Sequence, residues 1–394
     1  MQIVYGYSNC TDNKYVECFG HKKEISFQPS QKYHSLLIKG LAEAGVRVYC
    51  MSGLPINRGV TKKIFIHESD EREENSSFHY YKTINIPGLR QIMIFWGAFL
   101  NVMKMRTTQN TYAICDYLSI ANTYGILLAC KIKNIPIIAI VTDLTDMFKG
   151  NKWFSKINNA LLKKMDGFIF LTEYMNTRIN YNQKPYIVLE GHVDVSLELL
   201  ESKMHFEDCY EKKVIIYAGS IEKLYGIKNL VEGFIKANVP DTELRIFGDG
   251  DYREELEEIA SKHNNIRYMG NCPNREVVEQ EQRAMLLVNP RPVAPEYTKY
   301  SFPSKNMEYM ISGTPMLTTR LPGMPKEYYP YVYFIDDESP EGIASVLTKI
   351  CNMPRKEREQ KGLNARAFVL ENKSNIVQAK KILGFLQHYF GGEL

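Results

Sequence analysis

Paired cysteines are missing from this chain of 394 residues: the eight it has are scattered, with no CxxC pair and no histidine cluster beside them. That excludes a disulfide framework and a Cys/His zinc site, and it fits a reducing compartment. No run of 18 apolar residues occurs, so no segment is long enough to span a bilayer. Met1 leads straight into an apolar strand, so no N-terminal signal is expected. The eight histidines, among them His21, His34, His67, His79 and His192, are not grouped, which leaves a histidine-based triad unsupported. There is no internal repeat and no low-complexity tract. Charge of one sign is also scarce overall, but the net +4 hides an asymmetry. Residues 1–190 hold 23 Lys and Arg against 15 Asp and Glu, while residues 191–394 hold 26 against 30. A basic half suits a phosphate-rich or membrane surface. Nucleic acid is not expected as a partner, because no basic-aromatic motif accompanies the excess.

What is present is an alternation of apolar strands with amphipathic helices. In the first half, strands are read at Gln2–Tyr7, Val46–Met51, Ile64–His67, His79–Ile84, Tyr112–Cys115, Ile137–Val141 and Phe168–Leu171. Helices are read at 30–44, 89–106 and 119–133. The rhythm breaks at 191–212, taken as a linker. It restarts with strands Val214–Ala218, Glu243–Phe247, Ile266–Met269, Met285–Asn289, Met316–Thr319 and Val332–Ile335, with helices between them. The length suits two domains, and the alternation predicts two doubly wound parallel-sheet α/β domains, 1–190 and 213–373. In such sheets ligands lie at the carboxyl ends of the strands.

The stretch Tyr300-Ser-Phe-Pro-Ser-Lys-Asn-Met-Glu308 reads as a helix start aimed at an anion. Pro303 suits the first helical position, leaving the N–H groups of Ser304, Lys305 and Asn306 free at the positive end of the dipole. Glu308, on the face of Ser304, is placed to accept hydrogen bonds from sugar hydroxyls. An ordinary buried helix with a surface Lys and Glu fits the same pattern.

Three turns follow strands nearby. In Gly219–Gly226, Ser220 and Lys223 suit a diphosphate, although the segment also reads as a plain strand-to-helix connection. In Phe247-Gly248-Asp249-Gly250-Asp251, Asp251 is expected to cap the next helix rather than to bind metal. Arg291, after Asn289-Pro290, is either a fork donor to phosphate or a solvated surface arginine. In the first half, Asp143 or Asp146 suits a general base, a sugar-hydroxyl acceptor or a strand-end cap. Ser8 and Asn9 open a polar loop expected to be flexible and to face a ligand. The helix Leu89–Arg106, with Trp96, Lys104 and Arg106, suits either packing on its own sheet or lying on a membrane surface.

Taken together, Tyr217-Ala-Gly-Ser, Tyr225-Gly-Ile-Lys-Asn-Leu, Ile246-Phe-Gly-Asp-Gly, Val288-Asn-Pro-Arg and Phe302-Pro-Ser-Lys-Asn-Met-Glu-Tyr-Met-Ile-Ser-Gly-Thr-Pro resemble the family-4 glycosyltransferases of the GT-B fold. The likeness is greatest to the bacterial enzymes that build capsule and other surface polysaccharides. The resemblance implies two Rossmann-like domains with an interdomain cleft, and retaining transfer of a sugar, of hexosyl type, from a nucleoside diphosphate sugar (a UDP-sugar favoured) without metal or cofactor. It implies a cytoplasmic enzyme peripheral to the membrane, a glycan or lipid-linked acceptor, and a last helix, 374–394, returning to the first domain. Donor-binding residues would be Gly219, Ser220, Tyr225, Gly248, Asp249, Arg291, Tyr300, Phe302, Ser304, Lys305 and Glu308. Asp143, Lys223 and Glu308 would serve catalysis, and Ser8, Asn9 and Asp146 would lie on the acceptor side. Tyr300 stands where the family's motif has its first Glu, and Ser220 and Tyr225 replace commoner basic residues. Competing expectations are a nucleotide-sugar epimerase or hydrolase on the same fold, and a non-catalytic partner of a glycosyltransferase.

Overall fold

The computed structural model describes residues 1–19, 29–55, 61, 63–144, 152–195 and 213–391. The chain forms two compact units, one of Met1–His192 with Asn375–Leu394 and one of Val193–Ser374. Most of the stretch read as a linker, 196–212, lies outside the described residues. At the boundary, Val193 forms a parallel bridge with Ser374.

The first unit runs β1 (Gln2–Gly6), α1 (Asp12–Phe19), α2 (Pro29–Glu43), β2 (Arg47–Ser52), β3 (Phe65–Ile66), β4 (Glu71–Arg72), β5 (Ser76–Tyr80), β6 (Thr83–Ile84), α3 (Leu89–Lys104) and β7 (Thr111–Asp116). It continues with α4 (Ile120–Lys133), β8 (Ile137–Val141), α5 (Lys152–Leu162), β9 (Gly167–Phe170), α6 (Glu173–Ile179) and β10 (Tyr186–Val188). Its sheet has the order β10-β9-β8-β7-β1-β2-β5-β4, parallel throughout except for β4. Every residue of β1, β7 and β8 is buried, as expected for apolar runs covered by helices on both faces. On one face Ile3, Tyr5, Ile114 and Ile138 pack with Leu37 and Leu41 of α2 and with Ile382 and Leu386 of the final helix. On the other face α4 comes so close to β1 that a Cβ on Gly6 would stand 2.4 Å from Ile126 Cδ1.

The second unit contains β11 (Lys213–Ala218), α7 (Ile227–Ala237), β12 (Thr242–Phe247), α8 (Arg253–Lys262), β13 (Ile266–Gly270), α9 (Asn274–Arg283) and β14 (Leu286–Asn289). These are followed by α10 (Ser304–Ser312), β15 (Met316–Thr319), β16 (Tyr333–Ile335), α11 (Pro340–Asn352) and α12 (Arg355–Lys373). The final helix, α13 (Asn375–Phe390), belongs to the first unit. The second sheet has the order β13-β12-β11-β14-β15-β16 and is parallel throughout. In both units strand order reverses beside the first strand, between β1 and β7 and between β11 and β14. A crevice opens outside the carboxyl ends of the strands at such a reversal.

Two readings of the sequence change. The strand expected at His79–Ile84 is split between β5 and β6. Asp70 accepts the N–H of Tyr80 at 3.1 Å and meets His79 Nδ1 at 2.7 Å, which folds Glu71–Arg72 back as an antiparallel edge on β5. The chain then leaves the sheet at Tyr81, whose hydroxyl donates to Asn122 at 2.8 Å. The loop read as flexible at Ser8–Asn13 is pinned and already enters α1. Thr11 Oγ1 accepts the N–H of Lys14 at 3.1 Å and donates to Glu71 at 2.7 Å.

Helices α3 and α4 touch backbone to backbone. A Cβ on Gly125 would stand 2.3 Å from the Phe95 carbonyl and 2.9 Å from Ala98 Cβ. Gly125→Ala is therefore expected to destabilise the first unit by roughly 1–3 kcal/mol despite alanine's better helix propensity. Urea unfolding followed by far-UV circular dichroism measures this, and an unchanged midpoint would contradict the close approach.

Candidate functional site

The carboxyl edge of the second sheet is assembled by glycines. Gly248, at φ 124°, lies where a Cβ would be 1.8 Å from the Gly219 carbonyl, so the turns after β11 and β12 meet with no side chain between them. Gly226, at φ 78°, also stands close to the Pro290 carbonyl, at 2.2 Å for a Cβ, which joins the turn after β11 to the one after β14. Only glycine fits such approaches. Asp251 does not cap α8 as expected. Its Oδ1 accepts the N–H of Lys223 at 2.7 Å, and α8 begins without a side-chain cap. Asp249 accepts the N–H of Gly250 at 2.9 Å, and the exposed Ser220 hydroxyl donates to Glu222 at 3.2 Å.

Helix α10 is tied to the reversal point. The hydroxyl of Tyr309 accepts the Ala218 N–H at 2.8 Å and donates to the Ala218 carbonyl at 3.2 Å. Asn289 at the end of β14 donates to Asn306 Oδ1 at 2.7 Å. Pro303 is the N-cap, with ψ 120°, rather than the first helical residue. Its carbonyl accepts the N–H of Asn306 at 2.9 Å, so the orphan donors of the first turn are Ser304 and Lys305.

The two expected phosphate-binding ammonium groups are both committed elsewhere. Lys305 Nζ lies 2.6 Å from Glu308 and 3.9 Å from the buried Glu281. Burial alone would lower its pKa, but the charges of Glu308 and Glu281 outweigh that and raise it. Lys223 Nζ lies 3.1 Å from Glu255. A neighbouring carboxylate took each cation: Glu308 lies at i+3 on the same helix, a spacing visible in the sequence, whereas Glu255 reaches Lys223 from a different helix.

Arg291 differs from both. Its guanidinium stacks over Tyr225 at 4.3 Å and lies 5.9 Å from the Tyr297 ring, with no carboxylate partner among the described residues. Its Nε is buried without a hydrogen-bond partner, as are Tyr297 Oη, Ser301 Oγ and Asn306 Nδ2. Native interiors leave few polar atoms unsatisfied, so four within 16 residues of chain make this segment a candidate for contact with a polar ligand. Tyr300 ends a short 3-10 turn, Glu296–Lys299, and Phe302 is buried against Tyr328, with ring centroids 5.2 Å apart.

In the first unit the carboxyl edge is more heavily bonded than expected. Asn9 is buried and its amide donates to Ser35 at 3.1 Å, while the Ser8 carbonyl accepts from Gln31 at 2.7 Å. Asp143 follows β8, and its carbonyl accepts from the Tyr117 hydroxyl. Desolvation raises its carboxyl to about 6, although the side chain still reaches solvent. Asp146 lies outside the described residues. Sequence reasoning passed over Asp116, the last residue of β7. It is buried, and desolvation raises its pKa to about 7 against the bonds from Leu118 N–H and Ser119. Its place directly after an apolar strand was the available signal. It also missed His34 and His192, distant in sequence but both packed on Tyr33. Burial holds both neutral, at about 3 and about 4.

Residues 206–368 match the family model described as Glycosyl transferases group 1. No curated protein matches the chain in sequence. Among solved structures, Anabaena HepE in complex with UDP is 12% identical, with a TM-score of 0.64 over 98% of this chain and 100% of its own. Sucrose-phosphate synthase from Thermosynechococcus elongatus is 13% identical, with a TM-score of 0.69 over 100% of both chains. The lipopolysaccharide outer core galactosyltransferase WaaB, in its apo form, is 14% identical, with a TM-score of 0.61 over 98% of this chain and 99% of its own. The fold is thus that of the GT-B glycosyltransferases, two parallel-sheet α/β domains.

Two outcomes follow from this geometry. Gly248→Ala should cost roughly 2–3 kcal/mol by forcing the turns after β11 and β12 apart, which thermal denaturation measures. Folded Asp116 keeps its proton to about pH 7, whereas the unfolded residue titrates at 3.8, so its contribution to stability falls as pH rises through that window. Relative to Asp116→Asn, the wild-type protein should lose roughly 2–3 kcal/mol between pH 5 and 7.5 and nothing further above it. Urea titrations of both proteins across that range give the difference directly.

Proposed function

We propose that the protein is a retaining glycosyltransferase that moves a sugar from a nucleoside diphosphate sugar to a growing, lipid-linked glycan in the synthesis of a bacterial surface polysaccharide. The observation that carries this reading is the group of orphaned polar atoms on Arg291, Tyr297, Ser301 and Asn306, beside the start of α10 and inside the segment that matches the glycosyl transferase model. A diphosphate supplies acceptor oxygens of the kind these donors lack. A uracil base is favoured, since HepE, which shares the fold, has been solved with UDP and with UDP-glucose.

Breaking the bond from sugar to diphosphate requires charge stabilisation on the departing oxygen. In this reading Arg291, held flat against Tyr225, presents its fork to the diphosphate, and the Ser304 and Lys305 N–H groups meet it at the positive end of α10. Together they take the part that a divalent cation plays elsewhere, so no metal enters the reaction. Glu308 serves the ribose hydroxyls, since a carboxylate has about four acceptor positions and the ion pair with Lys305 fixes its direction without filling them. Lys223 acts at one remove, holding α8 through Glu255. The acceptor hydroxyl attacks the anomeric carbon on the face the diphosphate leaves, and the leaving phosphate oxygen takes its proton. Asp143 is the candidate for orienting that hydroxyl.

Thermal denaturation with UDP, GDP, TDP and ADP in EDTA tests the donor site. One nucleotide at 100 times its dissociation constant should add about 2.7 kcal/mol of stability. Arg291→Ala should weaken that nucleotide roughly 10- to 100-fold, the cost of a charge-assisted hydrogen bond, and Lys223→Ala should weaken it much less. No shift with any nucleotide, or equal losses in the two variants, would refute this assignment. An inverted anomer in the product would refute retention.

A further inference from the structure

The solvent-facing side of α3 is apolar, the reverse of what a surface helix carries. Leu89, Ile92, Trp96 and Leu100 are exposed, Trp96 by 50% and Ile92 by 57%. At 3.6 residues per turn they share one stripe with Met93, Phe99 and Met103, an arc of roughly a third of the circumference with no acidic residue in the helix. The opposite side, with Ile94, Ala98 and Val102, is buried. The patch extends beyond the helix start. The Asn85 N–H donates to the Ile64 carbonyl at 2.7 Å, and Phe65 pairs with Ile84, which brings Ile64 and Phe65 alongside the segment that leads into the helix. Phe65 is 74% exposed while its neighbour Ile66 is buried.

Charge frames this patch at both ends. Lys63 and Lys82 lie by its start and Lys104 and Arg106 by its end, all exposed; Lys63 acts on the charge of Glu17, and the other three have no ion pair among the described residues. From Lys82 through Cys115 the chain contains no Asp or Glu. A second copy of this chain docked through the same face would set these cations against one another, in either direction. An anionic bilayer supplies both complements: hydrocarbon for the stripe and phosphate headgroups for the cations. Aromatic and long basic side chains are those that settle at that boundary. We infer that the apolar face of α3, extended by Phe65, is a docking surface that lays the first unit on an anionic membrane, with Trp96 and Phe65 inserted below the headgroups. This rests on the first unit alone and stands independently of the donor site.

Flotation of the full chain with vesicles of phosphatidylcholine containing 30% phosphatidylglycerol, against phosphatidylcholine alone, tests it. Binding should be strong to the anionic vesicles, fall steeply with salt, and drop at least about ten-fold in Ile92→Gln/Trp96→Gln/Leu100→Gln. These side chains are exposed, so melting temperature should be unchanged in that variant. In Trp153→Phe protein, where Trp96 is the remaining tryptophan, brominated acyl chains should quench its emission. No flotation with anionic vesicles, undiminished flotation of the triple variant, or unquenched Trp96 would overturn the inference. A lipid-free dimer that the triple variant dissolves would overturn it as well, by assigning the face to a second copy.

Discussion

One hydroxyl governs the geometry of the second unit. Tyr309 lies fully buried in α10 and bonds to both the N–H and the carbonyl of Ala218, the last residue of the sheet's first strand. A buried backbone pair at a strand end needs partners, because an unmade bond there costs more than a made one returns. By supplying both, Tyr309 anchors α10 at the strand reversal, and the Asn289–Asn306 bond fixes the helix start against β14. The positive end of α10 is thus held within the same strand-end group as the Gly219–Gly226 turn and the Arg291 loop. Helix termini become useful when something holds them in register with other donors, and here that is a tyrosine five residues inside the helix.

The turns obey a second constraint, the absence of side chains where backbones meet. Gly248 on Gly219 and Gly226 on Pro290 draw three strand-end turns into one surface. Asp251 then takes on the Lys223 N–H, stiffening the middle turn rather than its own helix. Rigidity of this sort lets orphaned donors on Arg291 and Ser301 persist, because loops free to move would bend to satisfy them.

Much of this was legible from the chain itself. Apolar runs such as Ile137–Val141 can only be strands covered on both faces, and their alternation with helices leaves little choice but parallel sheets. The segments that meet at the site were marked by local chemistry, glycines after strands and Pro-Ser-Lys before an apolar face. What escaped was tertiary. Nothing in the spacing says that Glu255 takes Lys223, or that Glu281, 24 residues before Lys305, is buried beside it. The start of α10 was misplaced by one residue, because the Asn306 N–H closes onto Pro303 in a tighter turn than an α-helix makes. Helix α1, Asp12–Phe19, was not foreseen, its first two residues falling in the stretch Ser8–Asn13 that was read as a polar loop. Its start is set by Thr11, whose contact with Glu71 spans 60 residues.

The second half of the chain is the acidic one, which is odd for a domain proposed to hold a diphosphate. Several of its carboxylates are occupied, however: Glu255 with Lys223 and Lys228, Glu243 with Arg245 and Arg267, Glu308 with Lys305. Each pair removes a lysine or arginine from competition as surely as it removes a negative charge. Arg291 stays out of these pairs because it faces rings instead of carboxylates. An ammonium could not hold that position so well. It is more strongly hydrated, loses its proton more readily when buried, and offers no flat face to Tyr225. The edge of a stacked guanidinium is of the kind that a diphosphate oxygen pair fits. An acidic domain can therefore present a positive site, provided that its cation is an arginine and its neighbours are aromatic.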